Sequence, residues 1–203
     1  LLDWCVAHFP APSEQEDEGE VINVAIIGKP NVGKSSLLNR ILGQERVIVS
    51  NVAGTTRDAI DSYFENEFGK YVFIDTAGIR KTGKIGDSIE KYSILRAEMA
   101  VDRSDVCLIL IDATEGVTAQ DERVAGIAHE SGKACIIVIN KWDLIEKDTK
   151  TMDEFRKHVY TALSYMTYAP IVFISAKTGQ RVNRLFELIN YVNNQAAMRI
   201  STG

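Results

Sequence analysis

Gly28-Lys29-Pro30-Asn31-Val32-Gly33-Lys34-Ser35 stands between an apolar run, Val21 to Ile27, and a stretch of helical periodicity, Ser35 to Leu42. The octapeptide fits G-x-x-x-x-G-K-[ST], and a strand before it with a helix after it is the setting its chemistry requires. Its glycines let successive backbone N–H groups turn inward around phosphate oxygens, and the helix that follows offers its positive end. Lys34 is then placed to reach the β and γ phosphates, while Ser35, followed by Ser36, brings a hydroxyl to Mg2+. Residues Gly28 to Ser36 are therefore the candidate phosphate loop. The motif specifies a nucleoside triphosphate and leaves the base open.

Outward from this loop the chain alternates between two patterns. Val21 to Ile27, Tyr71 to Asp75, Val106 to Asp112, Ala134 to Asn140 and Ile171 to Ser175 are short, nearly continuous apolar runs, as in parallel strands buried on both faces. Between them lie helical stretches: Ser35 to Leu42, Ser88 to Val101 with the stripe Ile89, Tyr92, Leu95 and Met99, Gln120 to Glu130, Met152 to Met166, and Arg181 to Asn194. This alternation predicts an α/β fold, a doubly wound and mostly parallel sheet with helices on both faces. Ala59 to Asn66 is expected to form a hairpin with the next strand around Gly69, which adds one antiparallel strand at an edge. Ligands of such sheets bind beyond the carboxyl ends of the strands.

The remaining motifs fall at those ends. Asp75-Thr76-Ala77-Gly78 closes the second run; Asp75 is expected to hold Mg2+ through water and the Gly78 amide to meet a γ-phosphate. Val52 to Asp58 is a polar loop in which Thr56 is assigned to the Mg2+ shell when a γ-phosphate is present. Two loops that share only that phosphate make an order–disorder switch. Asn140-Lys141-Trp142-Asp143 closes the run Ala134 to Asn140. A carboxylate at Asp143 accepts two hydrogen bonds from guanine N1–H and N2–H2, which adenine cannot supply, and charged hydrogen bonds contribute about 1.5–3 kcal/mol each. Lys141 would lie along the base, Asn140 would tie this loop to the phosphate loop, and Trp142 would pack structurally. Ser175-Ala176-Lys177, at the end of the last run, would set the Ala176 amide on guanine O6. Ile79 stands where many small GTPases carry a glutamine that orients the attacking water. Catalysis then rests on Lys34, Thr56, the Gly78 amide and a further cation, for which Arg57, Arg80 and a potassium ion held by Asn31 are the candidates. The carbonyl of Asn31, with backbone carbonyls of 50–53, would form the neutral oxygen cage such an ion needs.

Composition bounds the rest. Hydrophobic residues make up 45% and charged residues 25% of the 203 residues, which excludes a low-complexity chain. The longest apolar runs, of six residues, fall far short of the roughly 20 needed to cross a bilayer, and no secretory signal is read at the start, so a cytoplasmic location without membrane contact is expected. Cys5, Cys107 and Cys135 are an odd set without metal-ligand spacing, in keeping with a reducing compartment. The net charge of −5 is uneven: residues 1–20 hold six acids and no Lys or Arg, leaving 22 acids against 23 bases. Residues 10–20 read as a solvated acidic linker. Residues 1–9 carry an apolar helical face with nothing of their own to pack on. Leu1 to Cys5 also match Leu185 to Ile189 in residue class, as if a similar domain ended there.

GKPNVGKSSLLN, VIVSNVAGTTRDAID, DTAGIRKTGK, EKYSILRA, NKWDL and YAPIVFISA, in this order, resemble the second GTPase domain of the EngA (Der) family of bacterial ribosome-assembly factors. The resemblance implies GTP and GDP as ligands with Mg2+, hydrolysis stimulated by K+, and a role in assembly of the large ribosomal subunit or on its rRNA through the full-length protein. It also implies neighbours: 1–9 as the last helix of a first GTPase domain, 10–20 as the linker, 21–197 as the GTPase domain, and 198–203 as the entry to a KH-like domain. An MnmE-like or Era-like GTPase, and a nucleotide-gated binding module with little hydrolysis, stand beside this reading. Asp143 argues against an ATPase.

Overall fold

A computed structural model describes residues 20–43, 51–53, 60–76 and 89–200. The expectations placed on 1–19, on Thr56, Arg57, Ala77, Gly78, Ile79 and Arg80, and on 201–203 lie outside the described residues.

The strands, in chain order, are β1 Val21–Ile27, β2 Asn51–Ala53, β3 Ile60–Asn66, β4 Gly69–Phe73, β5 Val106–Asp112, β6 Ala134–Asn140 and β7 Ile171–Phe173. Side by side they run β2-β3-β4-β1-β5-β6-β7 in one sheet. β1 pairs in parallel with both β4 and β5, and β6 and β7 continue the parallel set. The expected hairpin is present, with Asn66 opposite Gly69 and β3 running against its neighbours. It is not the edge: β2 pairs outside it, Val52 opposite Asp61. After β1 the chain builds β2 to β4 on one side, then crosses to β5 on the other. The switch point of the sheet therefore lies at the carboxyl end of β1, where the phosphate loop begins.

Among the described residues five α-helices cover the sheet: α1 Lys34–Leu42, α2 Ile89–Asp102, α3 Ala119–Glu130, α4 Thr151–Ala162 and α5 Asn183–Ile200. Alternate residues of each buried strand serve opposite faces. Val106, Leu108 and Leu110 of β5 pack with Leu37, Leu38 and Ile41 of α1 and with Leu185, Phe186 and Ile189 of α5. Phe186 stacks on Phe64 at 5.2 Å between ring centres and leans on Tyr71 at 5.1 Å, which fastens α5 to the hairpin. Cys107, Ile109 and Ile111 face the other layer, with Ala97, Ala100 and Val101 of α2, Val124, Ala125 and Ala128 of α3, and Val159 of α4. Both cysteines of the sheet are buried, as their apolar surroundings predict.

Three helical expectations change. On α2 the stripe through Leu95 and Met99 points outward, the two side chains being 52% and 59% exposed, and the small residues Ala97 and Ala100 meet the sheet instead. Val101 is buried beside them, so packing of the inward face, and not the apolar periodicity, sets how this helix is turned. Met152 to Met166 is not one helix: α4 stops at Ala162, Leu163 leaves helical geometry, and a 3-10 turn spans Ser164–Met166. The turn buries Leu163 and Met166 and sends the Tyr160 hydroxyl to the Ala169 carbonyl at 3.0 Å and that of Tyr165 to the Glu122 carbonyl at 2.8 Å. The last helix runs on past Asn194 to Ile200. Among the described residues no helix is long and apolar enough to cross a membrane.

Candidate functional site

The phosphate loop leaves β1 pressed against β5. A Cβ on Gly28 would sit 2.8 Å from the Leu110 carbonyl oxygen, so only glycine allows this exit. Asn31 (φ 63°) and Gly33 (φ 102°) occupy the left-handed region, which asparagine tolerates and glycine enters freely. Between them Val32 is wholly buried and pins the loop from beneath. Lys34 opens α1 and curls back, its Nζ donating to the carbonyls of Gly28 at 2.7 Å and Lys29 at 2.6 Å. Burial pushes the Lys34 pKa down to about 8, with the charge of Asp121 opposing the fall. This is a desolvated cation stacked over its own loop, ready to gain from an anion there.

A single side chain joins this loop to the base loop. Asn140, last residue of β6 and buried, donates from Nδ2 to the Val32 carbonyl at 2.9 Å and accepts at Oδ1 from the Ala176 N–H at 3.0 Å. Gly33 makes room for it: a Cβ there would come within 2.1 Å of Asn140 Nδ2. The structure thus brings Asn140 to the phosphate loop as expected. It places the Ala176 amide on Asn140, so guanine O6 would have to share that donor. Lys141 takes a left-handed turn (φ 62°), which starts the 3-10 turn Trp142–Leu144 and leaves Asp143 half-buried beyond β6. Trp142 packs structurally, 4.4 Å from the Phe173 ring. Ser175 is buried and its Oγ accepts from the Thr178 N–H at 3.1 Å, closing the turn that carries Ala176 and exposed Lys177.

Asp75 lies two residues beyond β4, in a left-handed conformation (φ 53°), with its N–H held by Asp61 Oδ1 at 2.9 Å. Thr76 turns inward, its hydroxyl 2.9 Å from that of Ser62, so its role is packing of the strand end. Ser35 and Asp75 offer a hydroxyl and a carboxylate, hard oxygen donors that fit Mg2+. Among the described residues no cluster of three His, Cys, Asp or Glu could hold a metal on its own.

Sequence reasoning missed five residues. Arg40 of α1 reaches the last turn from below, donating from Nε to the Ala176 carbonyl at 3.1 Å and from Nη2 to that of Lys177. The segment after β5 receives two lysines of the site, Lys141 and Lys29. Lys141 Nζ meets Asp112 Oδ2 at 2.5 Å, and Lys29 turns away from the loop toward Glu115, Thr118 and Asp121. Burial works against charge on Lys29, yet the hydrogen bond to Glu115 and the carboxylates of Asp121 and Glu115 outweigh it and hold its pKa above the ordinary lysine range. Burial likewise disfavours the Asp112 anion, but bonds from Lys141 and Thr114 hold its carboxyl below the usual range. The available signal was acids at the carboxyl end of the central strand, followed by the Thr118 to Asp121 capping box of α3.

A glycine-bounded phosphate loop at the switch point, locked by an asparagine to an Asn-Lys-x-Asp base loop, defines a P-loop nucleotide-binding fold of the GTPase class. A family profile described as 50S ribosome-binding GTPase matches residues 23–141, and the chain belongs to this family. It is 64% identical over 203 residues to GTPase Der of Acetivibrio thermocellus and 63% identical over 203 residues to that of Ruminiclostridium cellulolyticum. Each match covers 100% of this chain and 46% of the relative, so the chain spans about half the length of the curated relatives it matches. Among solved structures, Era in complex with MgGDPNP and a segment of 16S ribosomal RNA aligns with a TM-score of 0.64 at 32% identity, over 85% of this chain and 57% of that one. Elongation factor SelB from Methanococcus maripaludis, in complex with a GTP analogue, aligns with 0.63 at 26% identity, over 85% and 34%. The resemblance to the EngA (Der) proteins read from the motifs is borne out.

Proposed function

We propose that this chain is a GTP-binding and GTP-hydrolysing switch domain of a bacterial factor in assembly of the large ribosomal subunit, acting in the cytoplasm. The observation that supports it most is the Asn140 bridge, which spans the loop suited to phosphates and the loop suited to guanine with two buried hydrogen bonds. In this reading Gly28 to Ser36 cradle the phosphates, Lys34 exchanges its loop carbonyls for β and γ oxygens, and Asp143 selects guanine. Lys141 lies along the base, and the turn at Ser175, Ala176 and Lys177 borders it. Asp75, Thr76, Ala77, Gly78 and Ile79 form the loop under the γ-phosphate, where the Gly78 amide stabilises charge developing in the transition state. Mg2+ neutralises phosphate charge when bound, with Ser35, Asp75 and, in the triphosphate state, Thr56 as the residues to hold it. Asn31 would take part by holding K+, whose charge would serve in place of an arginine finger. The relatives' greater length fits the neighbours read from the sequence: 1–9 from a preceding GTPase domain, 10–20 a linker, 21–197 this domain and 198–203 leading into a KH-like domain.

Single-turnover hydrolysis tests the reading. GTP should be cleaved and ATP left intact, and the rate should be higher in potassium than in sodium at equal ionic strength. Asn31→Ala should erase the salt difference while GDP binding stays nearly intact. Equal cleavage of ATP would defeat the guanine assignment, and equal rates in the two salts would defeat the assignment of Asn31.

A further inference from the structure

The strap between β5 and α3, residues 112–121, is not part of either nucleotide-facing loop, yet it receives a lysine from each. At its start Asp112 is buried; Oδ1 is fixed by the Thr114 N–H at 2.9 Å and hydroxyl at 2.6 Å, leaving Oδ2 for Lys141 of the base loop. At its end Asp121, also buried, accepts at Oδ2 from the Thr118 N–H at 2.9 Å and hydroxyl at 2.7 Å. The same oxygen lies 3.5 Å from Nζ of Lys29, the second residue of the phosphate loop. Asp121 Oδ1 is buried without a hydrogen-bond partner among the described residues, so the charges of Lys29 and of nearby Lys34 keep this carboxylate tolerable. Lys29 is itself buried, with a side chain only 8% exposed, although a phosphate-loop lysine in water would cost far less to keep charged. Buried ion pairs add little net stability on average, but breaking one partner is costly, and their best-attested use is to fix register. What is fixed here is the position of the phosphate loop relative to the base loop.

Resting on the guanine-nucleotide reading above, we propose that the strap 112–121 is a yoke: Glu115 and Asp121 with Lys29, and Asp112 with Lys141, hold the phosphate loop and base loop at one spacing and so set how long a nucleotide is retained. The five are positioning residues in this respect, and the three carboxylates act through the lysines. The yoke is a second side-chain connection between the loops, separate from Asn140, and its two ties are in series. Removing Lys29 at one end or the Asp112 charge at the other breaks it, so removing both does no more harm than removing one, while the backbone bond from the Ala113 N–H to the Asn140 carbonyl at 2.9 Å stays in place. Two unrelated local contacts would behave differently, because effects at separated sites add.

The test is the dissociation rate of fluorescent GDP from the full chain and from Asp112→Asn, Lys29→Gln and the double variant. Asparagine keeps one acceptor oxygen, enough for the bonds from Thr114, and removes the charge. Each single change should speed release about fivefold to tenfold, and the double variant should stay within about twofold of the faster single. Asp121→Asn, which leaves Glu115 on the lysine, should speed release no more than Lys29→Gln and add nothing when the two are combined, and Lys29→Arg should keep release slow. The Lys29 variants leave the α3 cap intact and supply the answer if Asp121→Asn fails to fold. Single variants that release GDP at the parental rate, or a double variant whose acceleration is the product of the singles, would overturn the yoke. Failure of the parent chain to bind GDP would instead overturn the nucleotide reading on which it rests.

Discussion

Replacing Asn140 with alanine removes one side chain and orphans two backbone groups. The Val32 carbonyl loses its donor at 2.9 Å and the Ala176 amide loses its acceptor at 3.0 Å, in a region where Val32 is 0% and Ala176 3% exposed, so water does not readily replace them. A buried polar group left unpaired costs about 1–3 kcal/mol, which puts the expected loss near 2–6 kcal/mol. That is a large part of the roughly 5–15 kcal/mol a domain of this kind holds in total. Urea unfolding of nucleotide-free protein, followed by far-ultraviolet circular dichroism, should show the lost stability as a lower midpoint at unchanged slope. Calorimetric titration with GDP should show weakened binding even where the variant is folded, because both loops lose their common tether. Asn140→Asp separates the two bonds: a carboxylate still accepts from Ala176 but faces the Val32 carbonyl, so it should fall no less than alanine. A loss below about 1 kcal/mol in Asn140→Ala with GDP affinity intact would refute the reasoning, since it would mean the freed groups find partners at no cost.

Gly33→Ala should be nearly as harmful as the loss of Asn140, since its Cβ would stand 2.1 Å from Asn140 Nδ2 in a backbone region alanine avoids; a melting temperature and GDP affinity equal to the parent would contradict the stated packing. Asp143→Asn should weaken GTP binding at least tenfold and admit xanthosine nucleotides, and competition between the two ligands decides it. Lys34 sets a pH dependence whose sign differs for stability and for binding. Its folded pKa of about 8 lies below the ordinary 10.5, so between those values the unfolded chain binds more protons and the stability of nucleotide-free protein rises with pH. GDP affinity should fall in the same window, by up to about tenfold per pH unit, because phosphate needs the ammonium. Titrations at pH 9 in buffers of different ionisation enthalpy should reveal proton uptake on binding, and none would exclude Lys34 as the group.

The sheet and the motifs were legible because both rest on local rules. Buried parallel strands are written as unbroken apolar runs, and the phosphate loop carries its own spacing of glycines, with Asn31 and Gly33 in the left-handed region. What failed depended on depth and distance. Ala97 and Ala100 meet the sheet because α2 sits close to it, and no periodicity encodes that closeness. Strand β2 has three residues and exists only because β3 is there to pair with it. That the Ala176 amide also meets Asn140, from another strand, could not be read from local sequence. Arg40 and Asp112 carry no motif, since each matters through a partner dozens of residues away.

Trp142 gives the base loop an optical signal of its own. Its indole is 2% exposed, tilted on Phe173, set edgewise to Phe155 at 5.6 Å and approached by the Lys147 ammonium at 5.9 Å from the ring centre. Emission from such a ring depends on the charge beside it and the water around it, and Asp143 follows it directly in the chain. The sequence has one other tryptophan, Trp4, so Trp4→Phe leaves a single emitter beside the guanine loop. Base-loop rearrangement could then be timed by stopped flow with unmodified nucleotide.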